Sequence, residues 1–276
     1  MKMILNNKTQ ISASAAELVA LNSNYGADVH LGDQLARLGL SGIQEDFLFG
    51  KNFELSADAD GALGDKLYGT TSTNATGAIE AGAAGVLGVY KLNTSATSGN
   101  SARIDQKDGL LWGYDENAEL DAIIALNRAD SSTTATNVFV GFAVAHNATL
   151  TSINDRAGLH LKCNASGDIE AWSSVEWSAT TDGVAAAQTA SYLGKIVSNN
   201  TFVHIRVILD RGSNKPILIL NGQQLGSSLS MKVKAATSFQ PYIRIDNSTD
   251  AKDSALRVDF LSVIQKRKKT SLKAKV

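Results

Sequence analysis

The chain has 276 residues, 43% hydrophobic and 19% charged, with 23 glycines and 2 prolines, a composition that excludes wholesale disorder and a collagen-like or proline-rich stalk. A single cysteine, Cys163, excludes an internal disulfide and any multi-cysteine zinc site; no apolar run approaches the ~18 residues of a membrane helix, and the start, Met1–Lys8, has no apolar stretch of the length expected of a secretory signal. The net charge of −1 conceals an asymmetry: residues 266–276 carry six Lys/Arg and no Asp/Glu, which leaves 20 basic against 27 acidic residues in the rest.

Residues 1–44 read as an N-terminal arm. Ser12–Leu21 (SASAAELVAL) and Asp33–Leu40 (DQLARLGL) have helical composition, with Ser12, Ser14 and Asp33 as N-cap candidates and Gly39 as a stop. Leu18, Leu21, Leu35 and Leu38 give these pieces apolar faces too short for a core of their own, so the arm is expected to dock on the body or on a neighbour.

From 45 onward the pattern is β. Strands are expected at Val86–Leu92, Leu110–Tyr114, Glu119–Leu126 and Val138–Ala145, and Leu159, Leu161 and Cys163 lie two apart on one strand face. Asn164–Asp168 reads as the turn of a hairpin returning through Ile169–Trp177. In Phe202–Leu225, Val203, Ile205, Val207 and Leu209 form one face with His204 and Arg206 on the other, and Asn221-Gly222 is the dipeptide of a type I′ turn. The last strand, Ala255–Ile264, alternates Leu256, Val258 and Phe260 against Arg257 and Asp259. About ten strands with no long helix between them predict an all-β antiparallel sandwich over 45–265. The basic residues Lys266, Arg267, Lys268 and Lys269 open a C-terminal tail (266–276) suited to an acidic surface.

The order of segments adds a resemblance. Ala83-Ala84-Gly85-Val86-Leu87, Ser101–Ile104, Leu110-Leu111-Trp112, Val138–Phe142, Phe202–Asp210, Leu218–Gly222, Pro241–Ile245 and Leu256–Val263 together resemble the concanavalin A-like, laminin G-like jelly-roll domains of tailed-phage structural proteins. The resemblance implies a virion component, foremost a non-enzymatic head decoration or cement protein. Its implied partners are the major capsid protein and its own copies in a dimer or trimer, with surface glycan as a further partner and neither nucleic acid nor membrane. It implies synthesis in the host cytoplasm and residence on the head surface. The alternatives are a carbohydrate- or receptor-binding module of a tail or fibre and, more remotely, a polysaccharide-degrading enzyme.

The residues were weighed for chemistry. Jelly-roll glucanases carry E-x-D-x-x-E on one strand; Glu119-Leu120-Asp121 supplies two acids, but the third position is Ile124. These acids are therefore expected on a solvent-facing strand edge without a catalytic role. His30, His146, His160 and His204 are scattered with no metal-ligand spacing, and Cys163 is expected to be a buried, inert thiol. Asp246–Asp250 is oxygen-rich, as calcium loops are, and equally an Asx-rich turn. No cofactor, metal or catalytic residue is assigned. The arm leucines and Lys266–Lys269 are the expected partner-binding residues, and Trp172 or Trp177 is the expected exposed aromatic.

Overall fold

The computed structural model describes residues 2–5, 9–12, 40–46, 60–63, 67–71, 75–81, 87–96, 98–106, 112–128, 136–144, 153, 155–164, 166, 168–176, 191–210, 212, 215–225, 238–247 and 253–266. In chain order the strands are β1 (Lys2–Leu5), β2 (Thr9–Ser12), β3 (Leu40–Asp46), β4 (Asp60–Leu63), β5 (Leu67–Thr71), β6 (Thr76–Ala81) and β7 (Leu87–Asn93). They continue as β8 (Asn100–Asp105), β9 (Trp112–Gly113), β10 (Glu119–Arg128), β11 (Thr136–Ala143), β12 (Arg156–Cys163) and β13 (Ile169–Glu176). The last are β14 (Ser191–Val197), β15 (Val203–Asp210), β16 (Lys215–Leu220), β17 (Gln223–Leu225), β18 (Ser238–Asn247) and β19 (Ser254–Lys266). The described residues hold no helix, and more strands than the ten or so expected.

Two antiparallel sheets face each other. The eight-stranded sheet runs β17-β16-β15-β10-β19-β7-β6, with β3 also pairing β19; the nine-stranded sheet runs β14-β13-β12-β11-β18-β8-β5-β4, with β9 pairing β18. Among the described residues β1 and β2 pair only with each other. Nearest neighbours in the sheets are often far apart in sequence, as β10 with β19 and β11 with β18, which is the wrapping of a jelly roll.

The core lies where period-two alternation puts it. Val203, Ile205, Val207 and Leu209 of β15 are buried, as are Leu120, Ala122 and Ile124 of β10. From the other sheet come Val138, Val140 and Phe142, then Leu159, Leu161 and Cys163, then Ile243 and Ile245. Cys163 is buried as expected, and burial pushes its thiol above the usual range. At one end the sheets are tied by buried hydroxyls: Thr136 Oγ1 of β11 lies 2.8 Å from Ser254 Oγ of β19, and the Ser254 amide donates to Thr94 Oγ1 at 3.2 Å.

Two turns match their sequence signals. Asn221 and Gly222 have φ of 50° and 77°, the left-handed pair that a type I′ turn requires. Asn164 closes its hairpin by accepting the Asp168 amide on Oδ1 at 2.9 Å.

Three expectations need correction. Phe260 is not in the core: a bulge sets Ile123 opposite Phe260 but Ile124 opposite Val258, so Asp259 is an extra residue. Beyond it the parity reverses, Leu261 and Val263 are buried, and Phe260 is only half-buried on the outer side. Glu119 and Asp121 are not on a strand edge, because β10 is flanked by β15 and β19. Leu40, read as the end of a helix, opens β3 instead, with Lys266 opposite it in β19. Ser12 likewise ends β2; Leu18, Leu21, Leu35, Leu38, Arg267, Lys268 and Lys269 lie outside the described residues.

Candidate functional site: the outer face of the nine-stranded sheet

Residues of one parity on β12 and β13 fill the core, so those of the other parity face outward. Pairing aligns them into a row: Tyr192, Trp172, His160, Phe139, Arg244 and Arg103 stand opposite one another on β14, β13, β12, β11, β18 and β8. The row has a closed half and an open half.

The closed half lies over β11 and β18. Phe139 and Tyr242 pack with Ala143 and Ile153 in a small second cluster, their ring centroids 6.0 Å apart. Gly141 and Gly158 face each other beneath it. A Cβ on Gly158 would lie 2.8 Å from the Phe139 ring and would run into the Val140 carbonyl oxygen. Two arginines are paired here, Arg244 buried and Arg103 partly so: Arg244 Nε donates to Asp246 Oδ2 at 3.2 Å and Arg103 Nε to Asp105 Oδ2 at 2.7 Å. Burial raises the Asp246 carboxyl above its usual range, against the pull of Arg244. Asp246 is thus engaged within β18; Ser248, Thr249 and Asp250 of the oxygen-rich segment lie outside the described residues.

The open half lies over β12, β13 and β14. Tyr192 is 46% exposed and stands 5.6 Å from Trp172, with the rings tilted by 43°. Lys162 Nζ sits 4.5 Å over the Trp172 ring, a cation–π contact. The indole Nε1 donates to Glu170 Oε2 at 3.0 Å, and Asn164 Nδ2 donates to Glu170 Oε1 at 2.8 Å. Both oxygens of Glu170 are therefore held by neutral donors, which fixes the tryptophan's edge. Ile196, opposite Glu170, is 59% exposed. His160 lies between Trp172 and Phe139, and its Nε2 is buried without a hydrogen-bond partner. Burial, then Lys162 and Arg156, pull its imidazole down to about 3. It is neutral at physiological pH, with one ring nitrogen to donate and one to accept. The ensemble is an aromatic surface with polar groups around it, the composition that receives a sugar: apolar ring faces stack on aromatic faces while hydroxyls seek hydrogen bonds.

The opposite sheet carries the acids that sequence had weighed for catalysis. Arg206 of β15 bridges both, with NH2 2.5 Å from Glu119 Oε1 and Nε 3.0 Å from Asp121 Oδ2. His204 Nε2 also bonds Asp121 Oδ1. Burial raises the Glu119 carboxyl above its usual range, opposed by Arg206. Both carboxylates are held on one guanidinium. Ile124, at the third motif position, points into the core.

The aromatic site escaped the sequence for a plain reason. Trp172 was singled out, but Tyr192, Lys162, His160, Glu170 and Asn164 come from three strands and the hairpin turn, and no local motif joins them. The parity of Leu159, Leu161 and Cys163 was legible, and it already placed His160 and Lys162 on the outer face together. Trp177 lies outside the described residues.

No protein-family model and no curated protein sequence matches the chain. Solved structures do match in shape. A protein of unknown function from Shewanella oneidensis MR-1 aligns with a TM-score of 0.54 at 16% identity, over 82% of this chain and 87% of that one. The Emp47p carbohydrate recognition domain aligns with a TM-score of 0.55 at 10% identity, over 80% of this chain and 94% of that one. At these identities the likeness is one of fold, and the fold is a concanavalin A-like jelly-roll sandwich.

Proposed function

We propose that the protein is a non-enzymatic, glycan-binding adhesion module of a tailed-phage virion, with the open half of the nine-stranded sheet's outer face as its sugar-contacting surface. The observation that carries this reading is the exposed Tyr192 set against a Trp172 whose indole is anchored by Glu170. A stacking surface held in place before binding loses little side-chain entropy when a sugar docks. The likeness of fold to a carbohydrate recognition domain supports it, and the order of strand segments supports the virion setting. The non-enzymatic part is supported by Arg206, whose guanidinium occupies both Glu119 and Asp121, and by Ile124, a core residue where the glucanase motif has its third acid.

The test is glycan-array and calorimetric binding of the full chain, beside Tyr192→Ala and Trp172→Ala. Binding to at least one glycan, lost in both variants, supports the reading. Binding to none, or binding indifferent to both, overturns it. Release of reducing ends from a bound polysaccharide would replace adhesion with catalysis.

Head decoration is the second reading, favoured by the contrast between an acidic body and the six Lys/Arg of residues 266–276. A basic tail and the segment that precedes β3 would reach an acidic shell or neighbouring copies, with strength gained over a symmetric lattice. Copy number per particle separates the two: a decoration protein is abundant and binds empty heads, whereas a tail module is present in few copies and binds the host envelope.

A further inference from the structure

We infer that the open half of this face selects acidic glycans, with the Lys162 ammonium and the His160 Nε2–H as the paired donors to a sugar carboxylate. This rests on the glycan-binding reading and adds the class of ligand.

Three observations converge. Lys162 and His160 are two residues apart on β12, on the same outward parity and directly opposite Glu170 and Trp172. Lys162 has no hydrogen bond or ion pair among the described residues; it stands over the Trp172 ring, and Glu170 attracts its charge from across the strand pair. Glu170 closes no salt bridge to it: both of its oxygens accept from Trp172 and Asn164 instead. His160 Nε2 is likewise buried and unpartnered. An unmet buried ring nitrogen beside a half-buried cation that has no salt bridge is a costly arrangement for a protein alone.

A carboxylate placed between them satisfies both. It accepts one charge-assisted bond from the ammonium and one from the imidazole N–H, while the sugar ring that bears it lies toward Tyr192. Lys162 is held below the usual lysine range by burial and then by Arg156, against the opposing pull of Glu170, so an arriving anion stabilises a charge that its surroundings meet only in part. A neutral sugar would stack equally well but would leave the ammonium unpaired. The discrimination is therefore electrostatic, and salt weakens it.

The experiment is calorimetric titration of the full chain with tetragalacturonic acid and with its carboxyl-reduced neutral counterpart, and of 3′-sialyllactose beside lactose. The expected result is at least about tenfold tighter binding of one acidic member than of its neutral partner. Lys162→Met, which keeps the apolar stem over Trp172, should erase that preference, bringing acidic and neutral members to within about twofold of each other. Lys162→Arg should retain part of the preference, and His160→Phe should reduce it. Tyr192→Ala should weaken acidic and neutral members together. Equal binding of acidic and neutral sugars, or a preference unaltered in Lys162→Met, overturns the inference and leaves the glycan reading standing. Binding of none of the four, with no hit on the array, overturns both.

Discussion

Trp172 and Glu170 lie two residues apart on the outer face of β13, and the indole of the first donates to the carboxylate of the second at 3.0 Å. The same carboxylate receives Asn164, the residue that also closes the β12–β13 hairpin. Turn and aromatic surface are thus mechanically one unit. Glu170→Ala should cost about 1 kcal/mol through the lost hydrogen bonds and should release the indole. The expected signature is a diminished near-ultraviolet circular dichroism band with an unchanged far-ultraviolet spectrum. An unaltered tryptophan band would mean that Glu170 does not position the ring.

The bulge at Asp259 makes a contrast that simple alternation reverses. Leu261 is fully buried and Phe260 is not. Leu261→Ala should therefore cost roughly 2–4 kcal/mol, and Phe260→Ala about 1 kcal/mol or less, judged by urea unfolding. Equal losses, or a larger loss at Phe260, would restore uninterrupted parity through β19. Val207→Asp would bury an unpaired charge at the centre of β15 and should cost several kcal/mol, on the order of 3–5.

The acids of β10 are structural partners, so they are not silent. Asp121 holds both His204 and Arg206, whereas Glu119 holds Arg206 alone and is itself disfavoured as a charge by burial. Asp121→Asn should destabilise by about 1 kcal/mol, while Glu119→Gln should be nearly neutral because Arg206 keeps Asp121. Thermal melts of the two variants at pH 7 rank them; the reverse order would show that Glu119 is the anchor of the cluster.

Glu80 and Arg257 give a pH dependence with a definite sign. Arg257 Nε donates to Glu80 Oε2 at 2.6 Å, and this bond holds the Glu80 carboxyl below its usual range, against a smaller opposing effect of burial. A lowered carboxyl contributes stability that is complete above its unfolded value near 4.5 and is lost as pH falls through its lower folded value. Arg257→Met should therefore flatten that acid limb of the stability curve. Both groups are partly exposed, so the difference should be about 1 kcal/mol or less. An acid limb identical in parent and variant would remove the pair from the account.

Gly158→Ala tests the closed half of the outer face. A methyl there meets the Val140 carbonyl and the Phe139 ring together, and the carbonyl cannot move without opening the β11–β12 pairing. A loss of roughly 1–3 kcal/mol is expected from overpacking. A neutral outcome would show that the Phe139–Tyr242 cluster yields easily.

The sequence by itself determined the class of fold and much of the core. Alternation in Val203–Leu209 and Leu159–Cys163, the Asn221-Gly222 turn and the hairpin at Asn164 are local signals, and local sterics and burial decide them without help from distant residues. The bulge at Asp259 was not legible, because it exists only where β19 meets β10 and nothing in either strand announces the extra residue. The partnership of Asp121 with Arg206, 85 positions away, was likewise decided by strand order. The aromatic site is the clearest case. Trp172 and Tyr192 face each other because β13 and β14 pair with a bulge between Ala171 and Trp172, and Lys162 reaches the ring because β12 lies on the other side. Parity told which residues point outward. Only the pairing of non-consecutive strands, fixed by how two sheets bury their common core, told which of them meet.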